Sequence, residues 1–558
     1  LNKENTSRDS YIPSDVYYAL QRKSRGNLGY GKRQQSTLEG TLTFQHKFGE
    51  LLDMNLMAGM GRYLDSGDGS DISYENANDH IQGSSVGMAD GPFYPTSYKY
   101  KNEKRSQFVR GNFDLLGRYV VSASLRRDGT DKFFPSKKYA LFPSVSLAWK
   151  MNEESFIKNI SWINMLKLRA SYGETGSDNL GTTLYGIVTT TREDVQFNNN
   201  SVTYIPYILS GANYEDVTWQ KTVMKNIGLD FSVLRDRIWG SVDVFRNDVT
   251  HLLGTAPTEL LGMHGTRPIN GGHYKRTGID VSLNSLNLQT HDFKWTSQIT
   301  MSHYNAVWIE RMPNYDYQKY QKRKNEPMNA FYYYKTTGII NVDKSNMPES
   351  QRSLGPAACM PGYPIVEDKN GDGIIDVNDS YMDNTLPKLY FGFGNTFTWK
   401  NFDLDIFMYG QLGVKKWNDA YGNSIDVGGL SRGVDAHNVG IYSYNIWNTQ
   451  TNTNGRFPGI AISKSVALPE NLGFDYTREN ASYIRVRNIT LGYNLGPKEL
   501  SVFKGYIRGI RVFVDFQNPL TFTKYKGYDP EINTSSSNLT GGQYPQMRVY
   551  SIGAKLTF

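Results

Sequence analysis

Long runs in which apolar residues occupy every second position constrain this chain more than any other feature. Ile227, Leu229, Phe231 and Val233 take one parity, and Asn226, Gly228, Asp230 and Ser232 the other. Past an Arg235-Asp236 turn, Ile238, Val242 and Val244 alternate with Ser241 and Asp243. The same rule governs Leu166, Leu168, Ala170 and Tyr172 against Lys167, Arg169 and Ser171, and Phe402, Leu404, Ile406 and Met408 against Asp403 and Asp405. It governs Val512, Val514 and Phe516 against Arg511 and Asp515 as well. Side chains of a strand point alternately to its two faces, so each run reads as a strand with one apolar and one polar face. Strands of soluble sandwiches usually run about 5–6 residues, and these runs are about twice as long. That matches the roughly 9–11 residues that cross a bilayer as a tilted strand. The expected fold is all-β, a transmembrane antiparallel β-barrel.

The pattern predicts strands near 34–47, 50–63, 104–115, 118–127, 138–150, 165–173, 221–234, 237–249, 275–287, 294–307, 388–399, 402–411, 482–495, 505–518 and 546–558. A sixteenth is expected near Tyr17–Leu28. The connections alternate in kind. Those after 47, 115, 150, 234, 287, 399 and 495 are short, and those after 63, 127, 173, 249, 307, 411 and 518 are mostly long, polar and aromatic. Short periplasmic turns and long outer loops mark an outer-membrane barrel. About 15–16 strands are an incomplete set for a large plugged transporter of about 22.

Composition excludes several other classes. Mean hydropathy is −0.53, and no apolar run is long enough for a spanning helix. A barrel escapes such averages because its polar and apolar residues alternate. The single cysteine, Cys359, rules out an intrachain disulfide framework. Net charge is +7 with both signs well mixed, so no basic block suits nucleic acid. The start, Leu1-Asn2-Lys3-Glu4-Asn5, has no charged-then-apolar signal region, so the chain is expected to begin partway through a precursor. Its end, Ser551 to Phe558, alternates onto a terminal aromatic and looks like the signal that barrel-assembly machinery reads.

Seven segments in order resemble the SusC/RagA family of TonB-linked outer-membrane transporters. They are Leu125-Arg126-Arg127-Asp128-Gly129 with Phe142-Pro143-Ser144-Val145-Ser146-Leu147-Ala148-Trp149, then Ser171-Tyr172-Gly173-Glu174-Thr175-Gly176, then Thr218-Trp219 leading into Asn226-Ile227-Gly228-Leu229-Asp230. After these come Asn370-Gly371-Asp372-Gly373, Ala481-Ser482-Tyr483-Ile484-Arg485, and Thr523-Lys524-Tyr525-Lys526-Gly527-Tyr528-Asp529-Pro530-Glu531. The resemblance implies import of oligosaccharides across the outer membrane of a Bacteroidota-type bacterium, or alternatively of oligopeptides. It also implies a SusD-like surface lipoprotein as lid and energy drawn through TonB. A barrel with a structural or assembly role and no transport is the reading from another class. The family's N-terminal plug and TonB-contacting segment find no match, so residues 1–558 are expected to be a C-terminal barrel portion.

One ligand constellation stands out. Asp368, Asn370, Asp372, Ile374 (through its carbonyl), Asp376 and Asp379 follow the spacing of a Ca²⁺-binding loop, with Gly373 at the sharp turn. Aspartate at the last position, in place of glutamate, shortens the reach. A structural Ca²⁺ in an extracellular loop is expected, the alternative being a solvated turn. Catalytic readings find no support. The histidines at 46, 80, 251, 264, 273, 291, 303 and 437 show no paired ligand spacing, and no nucleophile elbow or dinucleotide fingerprint is present. Phe331-Tyr332-Tyr333-Tyr334 suits either sugar stacking or packing.

Overall fold

A computed structural model describes residues 2–12, 24–75, 86, 89, 91–180, 190–192, 197–199, 202–204, 207–209, 215–257, 266–313, 315, 317–322, 325–418, 444–459, 468–476, 478–497, 499–503, 506–527, 529–532 and 545–558. Its main element is a 16-stranded sheet in which every strand pairs with its sequence neighbours. In chain order the strands are β1 (Asn2–Ile12), β2 (Arg25–Phe48), β3 (Leu52–Glu75), β4 (Phe93–Leu115), β5 (Tyr119–Thr130), β6 (Tyr139–Lys150), β7 (Ile163–Ser177) and β8 (Gln220–Val233). They continue as β9 (Ile238–Pro257), β10 (Thr266–Gln289), β11 (Phe293–Glu310), β12 (Leu389–Trp399), β13 (Phe402–Leu412), β14 (Tyr483–Leu495), β15 (Gly509–Thr523) and β16 (Val549–Thr557). Pairing is antiparallel, and among the described residues no ladder joins β1 to β16.

All fifteen alternating runs are strands. The sixteenth is not where it was expected: residues 17–23 lie outside the described set, residues 25–28 belong to β2, and the additional strand is β1 at Asn2–Ile12. Its sequence, NKENTSRDSYI, is polar on both faces, so hydropathy carries no signal for it. The same physics lengthens its neighbours. β2 and β3 have 24 residues each, against the shorter stretches expected from alternation. At about 3.3 Å per residue this is far more than a hydrocarbon core of about 30 Å requires. The added portions, such as Ser66-Gly67-Asp68-Gly69-Ser70-Asp71, keep their ladder bonds through backbone groups whatever their side chains. Cross-strand ion pairs such as Arg33–Asp65 at 2.6 Å and Arg62–Glu103 at 2.9 Å lie along them.

Register separates the two faces. Leu168, Leu229, Val242, Val281 and Met301 lie opposite one another across five strands, and one step on lie Leu147, Ala170, Ile227, Val244 and Ile279. This face is bare of protein: Ile227 is 62% exposed and Val244 56%. Such a surface is unfavourable in water and is the one hydrocarbon accepts. Phe231 shares it, whereas Val233 follows a register irregularity at Ser232. The hairpin between β4 and β5 turns through Leu116 (φ 56) and Gly117 (φ 66), both left-handed, and Arg118 N closes the turn onto the Leu115 carbonyl at 2.9 Å. At the opposite end of the sheet, the segments after β11 and β13 fold together. Strand Ala330–Tyr334 pairs with Tyr381–Asn384 and, in parallel, with Gly473–Phe474. Tyr334, Ile340, Tyr363, Val366, Ile375, Leu468 and Phe474 form their common core.

Candidate functional site: the polar face and the loops that cap it

The second face of the sheet carries the polar parity. Arg169 on β7 forks onto Asp230 of β8, with Nε–Oδ2 at 2.9 Å and Nη2–Oδ1 at 2.7 Å, and Nη2 also reaches Asp243 of β9 at 3.1 Å. Gly228 lies between them: a Cβ there would sit 2.4 Å from the Asp243 carboxylate and 2.7 Å from the guanidinium. Farther round, Ser302 donates to Asp280 at 2.6 Å, Thr396 to Asp405 at 2.6 Å, and Arg511 to Asp403 at 2.5 Å. Arg276 lies on the Tyr304 ring at 3.8 Å, and Tyr304 stacks on Tyr390 at 5.8 Å. A groove of about 780 Å³ runs along this face, with Arg110, Arg169, Arg276, Asp243, Asp280 and Asn226 among its lining. Charges of both signs therefore face one concavity.

Several family-like segments meet at one end of this face. Phe142 and Trp219 pack edge to face at 5.7 Å, with Phe133 against the same indole at 5.6 Å. Leu180 and Val217 complete the cluster, and Trp219 Nε1 donates to the Lys138 carbonyl at 3.1 Å. Gly176 is required there, since a Cβ would lie 2.1 Å from the Phe142 ring. Arg126 Nε donates to both Asp128 oxygens at 2.8 Å, and Arg127 covers the Tyr139 ring at 4.0 Å. The segments that carried the resemblance are thus contact partners distant in sequence.

The Asp368–Asp379 loop sits on the cap formed by the long segments. Its oxygens accept the loop's own N–H groups. Asp368 takes Gly371 N at 2.8 Å and Gly373 N at 2.9 Å, and Asp372 takes Ile374 N at 2.9 Å. Asn370 takes Asp372 N at 3.0 Å, and Asp376 takes Asn378 N at 2.7 Å. Asp379 is fully buried and ties the loop ends, accepting Lys369 N at 2.9 Å, Asn370 N at 3.3 Å and Asp376 N at 2.8 Å. The aspartate at this position caps a 3-10 turn at Val377–Asp379 reciprocally with Asp376. Gly371 (φ 73) and Gly373 (φ 84) make the turn, and Ile375 plugs into the cap core while Ile374 stays exposed. The donor chemistry suits a hard cation. The arrangement does not gather it: among the described residues no three His, Cys, Asp or Glu side chains converge to hold a metal.

The aromatic run is packed rather than offered. Tyr333 and Tyr334 are buried, and Arg478 lies over Phe331 at 4.2 Å. Asp383 is the hub beside them, accepting Tyr333 Oη at 3.1 Å, Lys415 Nζ at 3.0 Å and Arg478 Nη1 at 2.9 Å. Burial pushes the Asp383 carboxyl up, but Lys415 and Arg478 outweigh it and hold it below the usual value. Burial, reinforced by Asp383, pushes the Tyr333 phenol up to about 12.

A further site, centred on Arg485, was legible only as letters of two motifs. Arg485 of β14 is 2% exposed and donates to Asp529 at 2.7 Å, Glu531 at 2.6 Å and Thr521 at 3.0 Å. Tyr409 of β13 donates to Glu531 at 2.7 Å. Asp529 also accepts Glu531 N at 2.9 Å and Gln546 N at 3.0 Å, an Asx turn across Pro530. The signal available in sequence was an arginine on the polar parity of a strand, with a proline between two carboxylates farther on.

The model of the TonB dependent receptor-like, β-barrel family matches residues 2–518. The chain belongs to this family. TonB-dependent receptor P3 of Formosa agariphila is 26% identical over 598 residues, covering 100% of this chain and 56% of the relative. TonB-dependent receptor SusC of Bacteroides thetaiotaomicron is 28% identical over 484 residues, covering 83% and 44%. The fold superposes on the RagAB peptide transporter with a TM-score of 0.76 at 21% identity, over 100% of this chain and 59% of that one. The "closed-closed" state of the RagAB peptide importer gives a TM-score of 0.77 over the same shares. The chain is a SusC/RagA-type outer-membrane barrel protein, as its resemblance implied. It spans about half the length of these curated relatives. The expectation of no catalytic activity rests on that membership, which is in a receptor family.

Proposed function

We propose that the sheet forms most of the wall of a TonB-coupled outer-membrane importer whose cargo is oligopeptides. The supporting observation is the likeness of the whole chain's fold to the RagAB peptide transporter. The polar groove agrees with it. Guanidinium and carboxylate groups facing one concavity suit a cargo with charged ends and many amides, because charge-assisted bonds give such groups orientation. The Phe331–Tyr334 run, the feature that suited sugar stacking, is occupied in packing. Glycan import is the second reading, favoured by the SusC relative.

In this proposal about 22 strands close the barrel, the remainder coming from another part of a longer protein that also supplies the plug and the TonB-contacting segment. A SusD-like lipoprotein lids the loop end, and barrel-assembly machinery reads the last strand. A structural Ca²⁺ at Asp368–Asp379 is part of the same proposal, supported by the donor spacing and by lone pairs left on oxygens that accept one N–H each. Uptake of labelled oligopeptides and oligosaccharides by cells carrying or lacking the full-length protein decides the cargo. Peptide uptake lost on deletion is expected; loss of glycan uptake alone reverses the assignment. Thermal unfolding with and without millimolar Ca²⁺ decides the ion, since a midpoint unmoved by calcium removes it.

A further inference from the structure

The segment Asp529–Ile532 follows β15, yet it does not stay with its own strand. It crosses onto the polar face of β13 and β14, where Arg485 and Tyr409 lie opposite each other in register. There it is gripped from two sides. From the wall come Arg485 Nη2 to Asp529 at 2.7 Å, Arg485 Nη1 to Glu531 at 2.6 Å and the Tyr409 hydroxyl to Glu531 at 2.7 Å. From the loop strand Lys415–Trp417 comes Lys416 Nζ, donating to the Pro530 carbonyl at 2.5 Å and the Ile532 carbonyl at 3.3 Å. The approach is fixed too: the Tyr525 ring is buried with Val414 and Ala481, and Lys526 N donates to Glu479 at 3.1 Å. Gln546 N, on the return path, closes onto Asp529 at 3.0 Å.

Burying a guanidinium and a carboxylate together costs desolvation that apolar side chains of similar volume avoid, so bulk stability is a poor account of this arrangement. What one guanidinium bonded to two carboxylates supplies is position: separate charge-assisted bonds to Asp529 and Glu531 fix the angle and depth at which the segment meets the wall. Pro530 stiffens the segment between its two carboxylates. We propose that Arg485 is a positioning residue that pins Asp529–Ile532 across the polar face as a strap, and that the strap limits the size of cargo that passes on this side. The proposal rests on the reading of the polar face as a passage.

The test uses the full-length protein carrying Arg485→Met, and separately Tyr409→Phe, which removes a single hydroxyl and preserves the test should the first variant not assemble. Hydrogen exchange reads the amides of Glu531 and Gln546, and uptake of fluorescent peptides of graded length reads the passage. In Arg485→Met those amides should exchange about ten- to a hundredfold faster, the factor that one or two charge-assisted bonds carry. Wall amides of β14 should stay protected, and the length cut-off should shift to longer peptides. Tyr409→Phe should move both readouts the same way, by less. Unchanged exchange in both variants overturns the pinning. Faster exchange with an unchanged cut-off overturns the role in passage and leaves a merely structural clamp. A wild-type protein that imports neither peptides nor glycans overturns the passage reading and the strap's selectivity, while exchange still decides the pinning.

Discussion

Single residues in this chain are constrained mainly by what the adjacent strand or loop places against them. Gly176 carries no positive φ, and its need for a bare Cα comes from Phe142, whose ring would meet a Cβ at 2.1 Å. Gly176→Ala should push Phe142 off Trp219 and destabilise by about 1–3 kcal/mol, the usual cost of overpacking. Urea titration followed by tryptophan fluorescence checks this. Asp379 holds three loop N–H groups while fully buried, so Asp379→Ala leaves buried donors unpaired. A loss of about 1–3 kcal/mol confined to the cap is expected, read as faster exchange at Lys369 and Asp376 with the wall unaffected. Asp383 sets a pH dependence. Its folded value lies below the ordinary 3.8, so its stabilisation is full above that value and is lost as pH falls through the folded one. Protection of the Ala330–Tyr334 amides should therefore fall as the pH drops below 3.8, and Asp383→Asn should flatten that response.

Strands show where hydropathy alternation reports structure and where it falls silent. Runs such as Ile227-Gly228-Leu229-Asp230-Phe231 are strands in the expected register, because one face must be apolar and the other polar at the same depth. Leu229→Arg should cost roughly 2–4 kcal/mol if it lies at the midplane, against far less for Leu64→Arg in the polar extension of β3. Comparative unfolding in lipid vesicles measures the contrast, and equal penalties would sink the assignment of faces. The extensions of β2, β3 and β4, and all of β1, were invisible because polar residues and glycines interrupt the apolar alternation there, while the backbone ladder continues regardless. Likewise Asp368–Asp379 was legible as an oxygen-rich turn, while its self-satisfied bonding depends on Asp379 being buried under the cap.

At the scale of the molecule, the sheet has β1 and β16 at its two edges, and among the described residues no ladder joins them. In hydrocarbon each unpaired N–H and C=O costs several kcal/mol, which is why closure by further strands is part of the proposed function. Native mass spectrometry of the protein from outer membranes should find this chain covalently joined to, or copurifying with, a plug-bearing segment. A stable closed barrel built from residues 1–558 alone would contradict that proposal.

The sequence by itself determined the class of fold, the order and parity of fifteen strands and the family, because a membrane wall imposes one rule, period-two alternation, at every position of the span. Tertiary structure alone decided which distant segments touch. Phe142 meets Trp219, two long segments share one core around Tyr334, and Arg485 grips Asp529 and Glu531 across the polar face. No periodicity encodes such contacts, since ion pairs and ring packing depend on where loops return in space, and that is set only once the strands are in register.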